Sequence, residues 1–468
     1  MAQRSPRNVI CWSDPRAQRS FRAVTLLVVA GALLLAPLAG RAQTTPFDEP
    51  SGLPEPAPAP VAPPPTAPSG PNLSGPEVKG ASAILVDAAT GTILWEKDSH
   101  TRRPIASTTK IMTATLLLES GRLDDVVTFS NKARLTPYAN LNAKPGEKFS
   151  LRELLYAIML RSSNDSCVAV AEHLSGQAWK YAAQMTEKAH QLGAMDTHFV
   201  TVNGLYDKNH YSTAYDLALM TRYAIQYPLF NEVVSTQAKP IQRSINQKDV
   251  LLQNHNKFLK KYQGADGIKT GYVRQSGKCL VASATGLEAG RPWRLITVVL
   301  NSGDTYGDSA RMMDWGRQNF QPIFLARQGE QVAVASVRGG VAPNVPLIAS
   351  RDLLAIVRRT PGMNHAVPEI QTENGLRAPV AENQVVGKVV ARVDGQPVSQ
   401  VELLAGRPVT QVWTASVAPF TGWSFTLALL VLGTRYARAA AKSSRKRRRR
   451  LAARSRELDL EWESNGQW

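Results

Sequence analysis

The sequence predicts an α+β fold, with helices packed on an antiparallel sheet, then a small β-rich domain and a C-terminal membrane helix. Three observations carry that expectation. Two strand-like runs, Ala83-Ile84-Leu85-Val86-Asp87 and Ile93-Leu94-Trp95-Glu96, face each other across Thr90-Gly91 as a hairpin. Helical periodicity fills the block behind them, in Leu151 to Leu160, Val168 to Leu174 and Trp179 to Leu192. Strands then return in Val250-Leu251-Leu252, Leu280 to Ala284 and Trp293 to Leu300, around a glycine-rich turn. Strands, helices and strands in separate blocks are the order of an α+β domain, not of alternating βα units.

A chain of 468 residues holds two or three domains, and 43% hydrophobic residues can bury a proper core. The net charge of +18 first suggests nucleic acid or a membrane surface. Its distribution excludes a basic nucleic-acid-binding domain. Much of the excess lies in Arg4, Arg7, Arg16, Arg19 and Arg22 at the start and in the run Arg445 to Arg450 near the end. Of the three cysteines, Cys11 lies in the leader; Cys167 and Cys279 are too few for a disulfide framework and lack CxxC spacing for zinc. Free thiols are expected. Nothing in the sequence calls for a metal or a cofactor.

In chain order, residues 1–42 read as an export signal, with arginines, an apolar stretch from Ala23 to Ala39, and small residues around Gly40-Arg41-Ala42 for cleavage. Residues 43–77 form a linker dominated by Pro, Ala, Gly and Ser, which cannot bury apolar surface and acts as a semi-rigid tether. Residues 78–327 form the main domain. Residues 328–410 form the β-rich domain, with short strands such as Val385 to Val393 and Val398 to Leu404. Residues 411–436 are uncharged from Gln411 to Thr434, about the ~20 residues of a membrane span, and aromatic residues flank them. Residues 437–468 form a basic tail on the cytoplasmic side, which leaves the domains before it in the periplasm, outside the inner membrane.

Three motifs carry chemistry. In Ser107-Thr108-Thr109-Lys110 a serine and a lysine stand three apart at the start of a buried helix, on one helix face. A neutral lysine one turn away can take the serine proton, and free helix-start amides suit a developing oxyanion. In Ser162-Ser163-Asn164 a hydroxyl and an amide two apart can point into one cleft where a loop starts. In Lys269-Thr270-Gly271-Tyr272 a cation and a hydroxyl await an anion, and Gly271 lets another backbone approach a strand. Each alone is a common surface or capping pattern. Together, in the order Ser-x-x-Lys, Ser-x-Asn, Lys-Thr-Gly, they form a specific constellation.

With these motifs, and with Asp87-Ala88-Ala89-Thr90-Gly91, Leu192 to Phe199, Asn203-Gly204-Leu205 and Asp216-Leu217-Ala218, the chain resembles the low-molecular-weight penicillin-binding proteins, serine-type D-alanyl-D-alanine carboxypeptidases. The resemblance spans Val78 to Arg407 and implies a penicillin-binding, β-lactamase-like transpeptidase fold. It implies that Ser107 becomes acylated by peptidoglycan stem peptides or, in their place, by β-lactam antibiotics. Lys110 would take the proton of Ser107, and Ser162 would pass a proton to the leaving amine. Asn164 would hold the substrate amide and Lys110, and Lys269 with Thr270 would receive the terminal carboxylate. The amides of Ser107 and Tyr272 would form the oxyanion hole. The chain departs from the family at Ser163, where glycine is frequent, and at Tyr272, where histidine is. An arginine expected near the carboxylate is replaced by Asp304-Thr305-Tyr306, with Arg311 the next arginine. A D,D-endopeptidase and a non-catalytic peptidoglycan-binding protein stay open beside the carboxypeptidase.

Overall fold

The structure, a computed structural model, describes residues 74–359, 365–372, 375–412 and 418–464. The expected export signal (1–42) and all but the end of the linker (43–77) lie outside the described residues. The core of the first domain is a five-stranded antiparallel sheet. Its order is Ile93–Lys97, Ser82–Asp87, Arg291–Ser302, Gly277–Glu288 and Ala265–Val273. The sheet is covered on both faces, which is why its strands read as unbroken apolar runs. Along Ser82–Asp87, Ile84 and Val86 join the core under the helical block. Ala83 and Leu85 pack with Met312 and Met313 of the helix Thr305–Asn319 on the other face.

At the centre of the helical block runs Lys110–Glu119, buried on nearly every side through Ile111, Met112, Ala114, Leu117 and Leu118. The expected helix from Leu151 begins with a capping box, Ser150 and Glu153. It is regular only to Tyr156 and continues as a wide π turn, Ala157–Arg161. That turn delivers the chain to Ser162. Asn164–Ser175 and Ala178–Gln191 follow as expected. Among the helices of more than one turn, three went unread in the sequence: Ala214–Ala224, Pro228–Ser235 and Thr305–Asn319. Each carried a start signal, namely Thr213 accepting from the Asp216 amide, Pro228 in the first turn, and Asp304 accepting from the Gly307 amide.

The β-rich region has its own core, with Val345, Leu347, Val389, Ala391, Leu403 and Ala405 at its heart. Its main sheet runs Ala366–Thr372, Val385–Val393, Gln396–Ala405, Asn344–Ala349, Gln331–Arg338 and Leu376–Arg377. The strand Phe320–Ala326, assigned to the main domain on sequence, pairs with Leu353–Arg358 of this region. Cys167 and Cys279 are free, buried thiols, as expected.

The C-terminal expectation needs correction. Among the described residues no helix is long and apolar enough to cross a membrane. The uncharged run owes its start to the β-rich region: Gln411 bridges Gly340, and the Val412 amide donates to Gly339. A helix does follow, Ala418–Ser464. Its apolar stretch around Leu427 to Leu432 is bounded by Gly433, Thr434 and Arg435, too soon for a full span.

Candidate active site

One short turn, Ala106–Thr109, leads into the central helix, which starts at Lys110. Ala106 has a left-handed backbone, φ +48°. The Ser107 side chain is half-buried while Lys110 is fully buried. The spacing of three residues then puts Lys110 Nζ 2.9 Å from Ser107 Oγ. Two more oxygens surround the amine, Asn164 Oδ1 at 2.7 Å and the main-chain oxygen of Asn203 at 2.6 Å. The Asn164 side chain is oriented by its Nδ2, which donates to Pro137 O at 3.0 Å.

Ser162 and Asn164 are held by different devices. Ser162 closes the π turn in the left-handed region, φ +65°, which ends one helix and lets Asn164 begin the next. It is 8% exposed, and among the described residues no hydrogen bond fixes its hydroxyl. The Asn164 amide donates to Ala139 O at 2.6 Å, so the loop before Glu147 anchors this motif. The neighbouring Asp165 carboxylate is fully buried and accepts from the Leu141 amide at 2.9 and 3.0 Å.

The third motif lies on Ala265–Val273, the edge strand of the sheet. Lys269 and Gly271, two apart, are buried on the side of Lys110 and Ser107, and Thr270 between them is half-buried on this open edge. Tyr272 is 66% exposed. A Cβ at Gly271 would stand 3.0 Å from Ser107 N and 3.1 Å from Ile105 O. The backbone that this glycine admits is therefore the protein's own nucleophile turn, where a substrate backbone was expected.

Burial pushes Lys110 down to about 8, against the opposing pull of Cys167 and Asp165. Burial, then repulsion from Lys110, brings Lys269 to about 7. Two buried amines that repel one another disfavour a double charge near neutrality, so the site prefers one positive charge between them. Sequence reasoning missed three participants. Asn203 acts through its carbonyl, which no side-chain motif reveals. His255, whose main-chain amide donates to Leu160 O at 2.9 Å, has its pKa lowered by burial, then by the charges of Lys269 and Arg161. Thr109 links the nucleophile turn to His210. Arg311, the nearest arginine after Asp304, is instead engaged with Asp308, Asp304 and Glu77 O.

A buried amine between a serine hydroxyl and two fixed acceptors is the machinery of a serine acyl-transfer enzyme. Residues 69–304 match the family model of D-alanyl-D-alanine carboxypeptidase, and residues 320–411 match that of the penicillin-binding protein 5 C-terminal domain. The D-alanyl-D-alanine carboxypeptidase DacF of Bacillus subtilis is 31% identical over 70% of this chain and 84% of its own. DacA of Escherichia coli, with the same activity in its name, is 29% identical over 70% and 83%. Among solved structures, penicillin binding protein 5 of Haemophilus influenzae superposes with TM-score 0.60 at 27% identity, covering 73% of this chain and all of the other. This chain belongs to the D-alanyl-D-alanine carboxypeptidase family of low-molecular-weight penicillin-binding proteins.

Proposed function

We propose that this protein is a serine-type D-alanyl-D-alanine carboxypeptidase that removes the terminal D-alanine of peptidoglycan stem peptides through an ester on Ser107. The observation that carries the mechanism is the threefold environment of Lys110 Nζ. A neutral amine has two protons and one lone pair. Asn164 Oδ1 and Asn203 O can only accept, so they take the two protons. The lone pair is left to the Ser107 hydroxyl. Ser107 Oγ attacks the carbonyl carbon of the scissile amide as its proton passes to Lys110. The amides of Ser107 and Tyr272 stabilise the oxyanion, in keeping with how closely Gly271 packs on Ser107 N. The proton then travels by way of Ser162 to the nitrogen of the leaving D-alanine, and water hydrolyses the acyl-enzyme. Lys269 supplies the cation for the terminal carboxylate, and Thr270, on the edge strand, a hydroxyl. That carboxylate favours charge on Lys269, which in turn favours neutral Lys110.

Penicillin presents an amide and a carboxylate to the same groups and acylates Ser107. Asp165, turned into the Leu141 amide, is not free to activate water against that ester. A long-lived penicillin adduct follows. Incubation with a D-Ala-D-Ala pentapeptide tests the reading: wild type releases free D-alanine, while Ser107→Ala and Lys110→Arg do not. Release by either variant would overturn it.

For location, we assign the inner membrane to the C-terminal helix Ala418–Ser464, with both preceding domains in the periplasm. On this helix Leu427, Leu429, Leu430 and Leu432 are more than 60% exposed, a band that lipid would cover. The run Arg445 to Arg450 follows, and each basic residue near an anionic leaflet adds about 1 kcal/mol. Fractionation of cells making the full chain, or a chain ending at Arg407, checks this. Release of the shortened form alone supports it, and soluble full-length protein contradicts it.

A further inference from the structure

The residue before the nucleophile is held in an unfavourable conformation, and a buried histidine stands behind what holds it. Ala106, at φ +48°, occupies a region that side chains other than glycine rarely adopt. Its carbonyl accepts from Thr109 Oγ1 at 2.8 Å, and a Cβ at Gly204 (φ +84°) would come within 2.0 Å of that oxygen. The main chain of Gly204 therefore runs close against the Ala106 carbonyl, and the carbonyl of the preceding Asn203 binds Lys110. Thr109 Oγ1 lies 2.8 Å from His210 Nε2. On the other side of the ring, Nδ1 faces the amides of Val200 at 3.1 Å and Thr201 at 3.2 Å.

These contacts fix every proton. Amides only donate, so Nδ1 accepts and the ring hydrogen is on Nε2. That hydrogen goes to Thr109 Oγ1, whose own hydrogen goes to Ala106 O. The Thr201 hydroxyl is committed to Leu205 O at 3.1 Å. The ring is 3% exposed, and the edge of Phe199 packs on it.

We propose that His210 is a positioning residue: as a neutral Nε2–H imidazole it locks the turn Ala106–Thr109, through Thr109, into the geometry that aligns Ser107 with Lys110. The proposal rests on the reading of Ser107 as the nucleophile. A second ring proton would face the Val200 and Thr201 amides head-on, so charging His210 breaks the lock. The groups around the ring mostly oppose that charge. Burial lowers its proton affinity most, to about 4, with His198 and Lys110 adding to it and Asp207 alone opposing.

The test uses the full chain, with acylation of Ser107 by a labelled penicillin and ¹⁵N NMR of histidine-labelled protein. Thr109→Val, which cuts the link, should acylate about 10²-fold more slowly, as sub-ångström alignment is lost. Thr109→Ser, which keeps the hydroxyl, should stay within a few-fold of wild type. The His210 ring should show the neutral Nε2–H form down to about pH 5, well below an ordinary histidine. Equal rates for Thr109→Val and wild type, a Thr109→Ser rate as low as that of Thr109→Val, or a His210 ring that charges above about pH 6 would each overturn the proposal. Should Thr109→Val not fold, Thr109→Ser and the ring spectrum decide. If wild-type Ser107 takes no penicillin, the nucleophile assignment fails instead, and the ring spectrum still judges His210.

Discussion

The main-chain oxygen of Asn203 lies 2.6 Å from Lys110 Nζ and joins the catalytic helix to a loop nearly a hundred residues on. With Asn164 Oδ1 it takes both protons of a neutral amine, so the lone pair has one remaining partner, Ser107.

The pH dependence follows. Lys110 is lowered by burial from 10.5 to about 8, and only its neutral form can accept the Ser107 proton. Lys269, brought to about 7, must keep its charge for the carboxylate, so the second-order rate of penicillin acylation should climb as Lys110 becomes neutral, peak between about 7 and 8, and fall above that. Stability responds to the same Lys110 shift. Between about 8 and 10.5 the unfolded lysine holds a proton that the folded one does not, so stability increases with pH there. An acylation rate that does not change between pH 5 and 7 would exclude Lys110 as the base.

Gly271→Ala should leave the fold nearly intact and damage acylation. The new methyl would sit 3.0 Å from Ser107 N and 3.2 Å from Ala106 Cβ, so it pushes on the nucleophile turn. A loss of about 10²-fold in penicillin acylation is expected, with an unfolding midpoint close to wild type.

Stability of the loop before Asn164 depends on a buried ion pair. Arg243 and Glu147 are both fully buried at 2.8 Å, and Arg243 also donates to Leu141 O and Asn142 O. Burial pushes the Glu147 carboxyl up, but Arg243 and the amides of Asn246 and Lys144 override it and bring it down to about 2. Its stabilising effect is thus complete above about 4.5 and lost as pH falls through 2. Arg243→Met should cost about 3–5 kcal/mol by stranding the Glu147 charge. Thermal unfolding should show a drop of about 10 °C or more. Arg243→Met with Glu147→Leu should regain much of it.

Much of this was legible before any coordinates. The three motifs name residues that do meet: Ser107, Lys110 and Asn164 by hydrogen bonds, Lys269 through its charge, and Gly271 through its packing. They were legible because each side chain itself carries the chemistry. Asn203 was not, because a carbonyl contact belongs to every residue type. Nor could the sequence show that Gly271 makes room for Ala106 and Ser107, since the partner strand and turn are far apart in the chain. The helix Thr305–Asn319 was overlooked because the strands before it dominate the pattern and its Asp304 cap was read as a missing arginine. The expected membrane span failed where Gln411 and Val412, uncharged but bound to the β-rich region, were counted with the residues behind them.

The central claim is that Ser107, activated by Lys110, carries the acyl group. Intact-mass measurement after incubation with penicillin, followed by peptide mapping, tests it most directly. The account predicts one added penicillin on the peptide holding Ser107, no adduct in Ser107→Ala, and none in Lys110→Arg at neutral pH. An adduct that persists in Ser107→Ala, or that maps to Ser162 or Cys167, would contradict it.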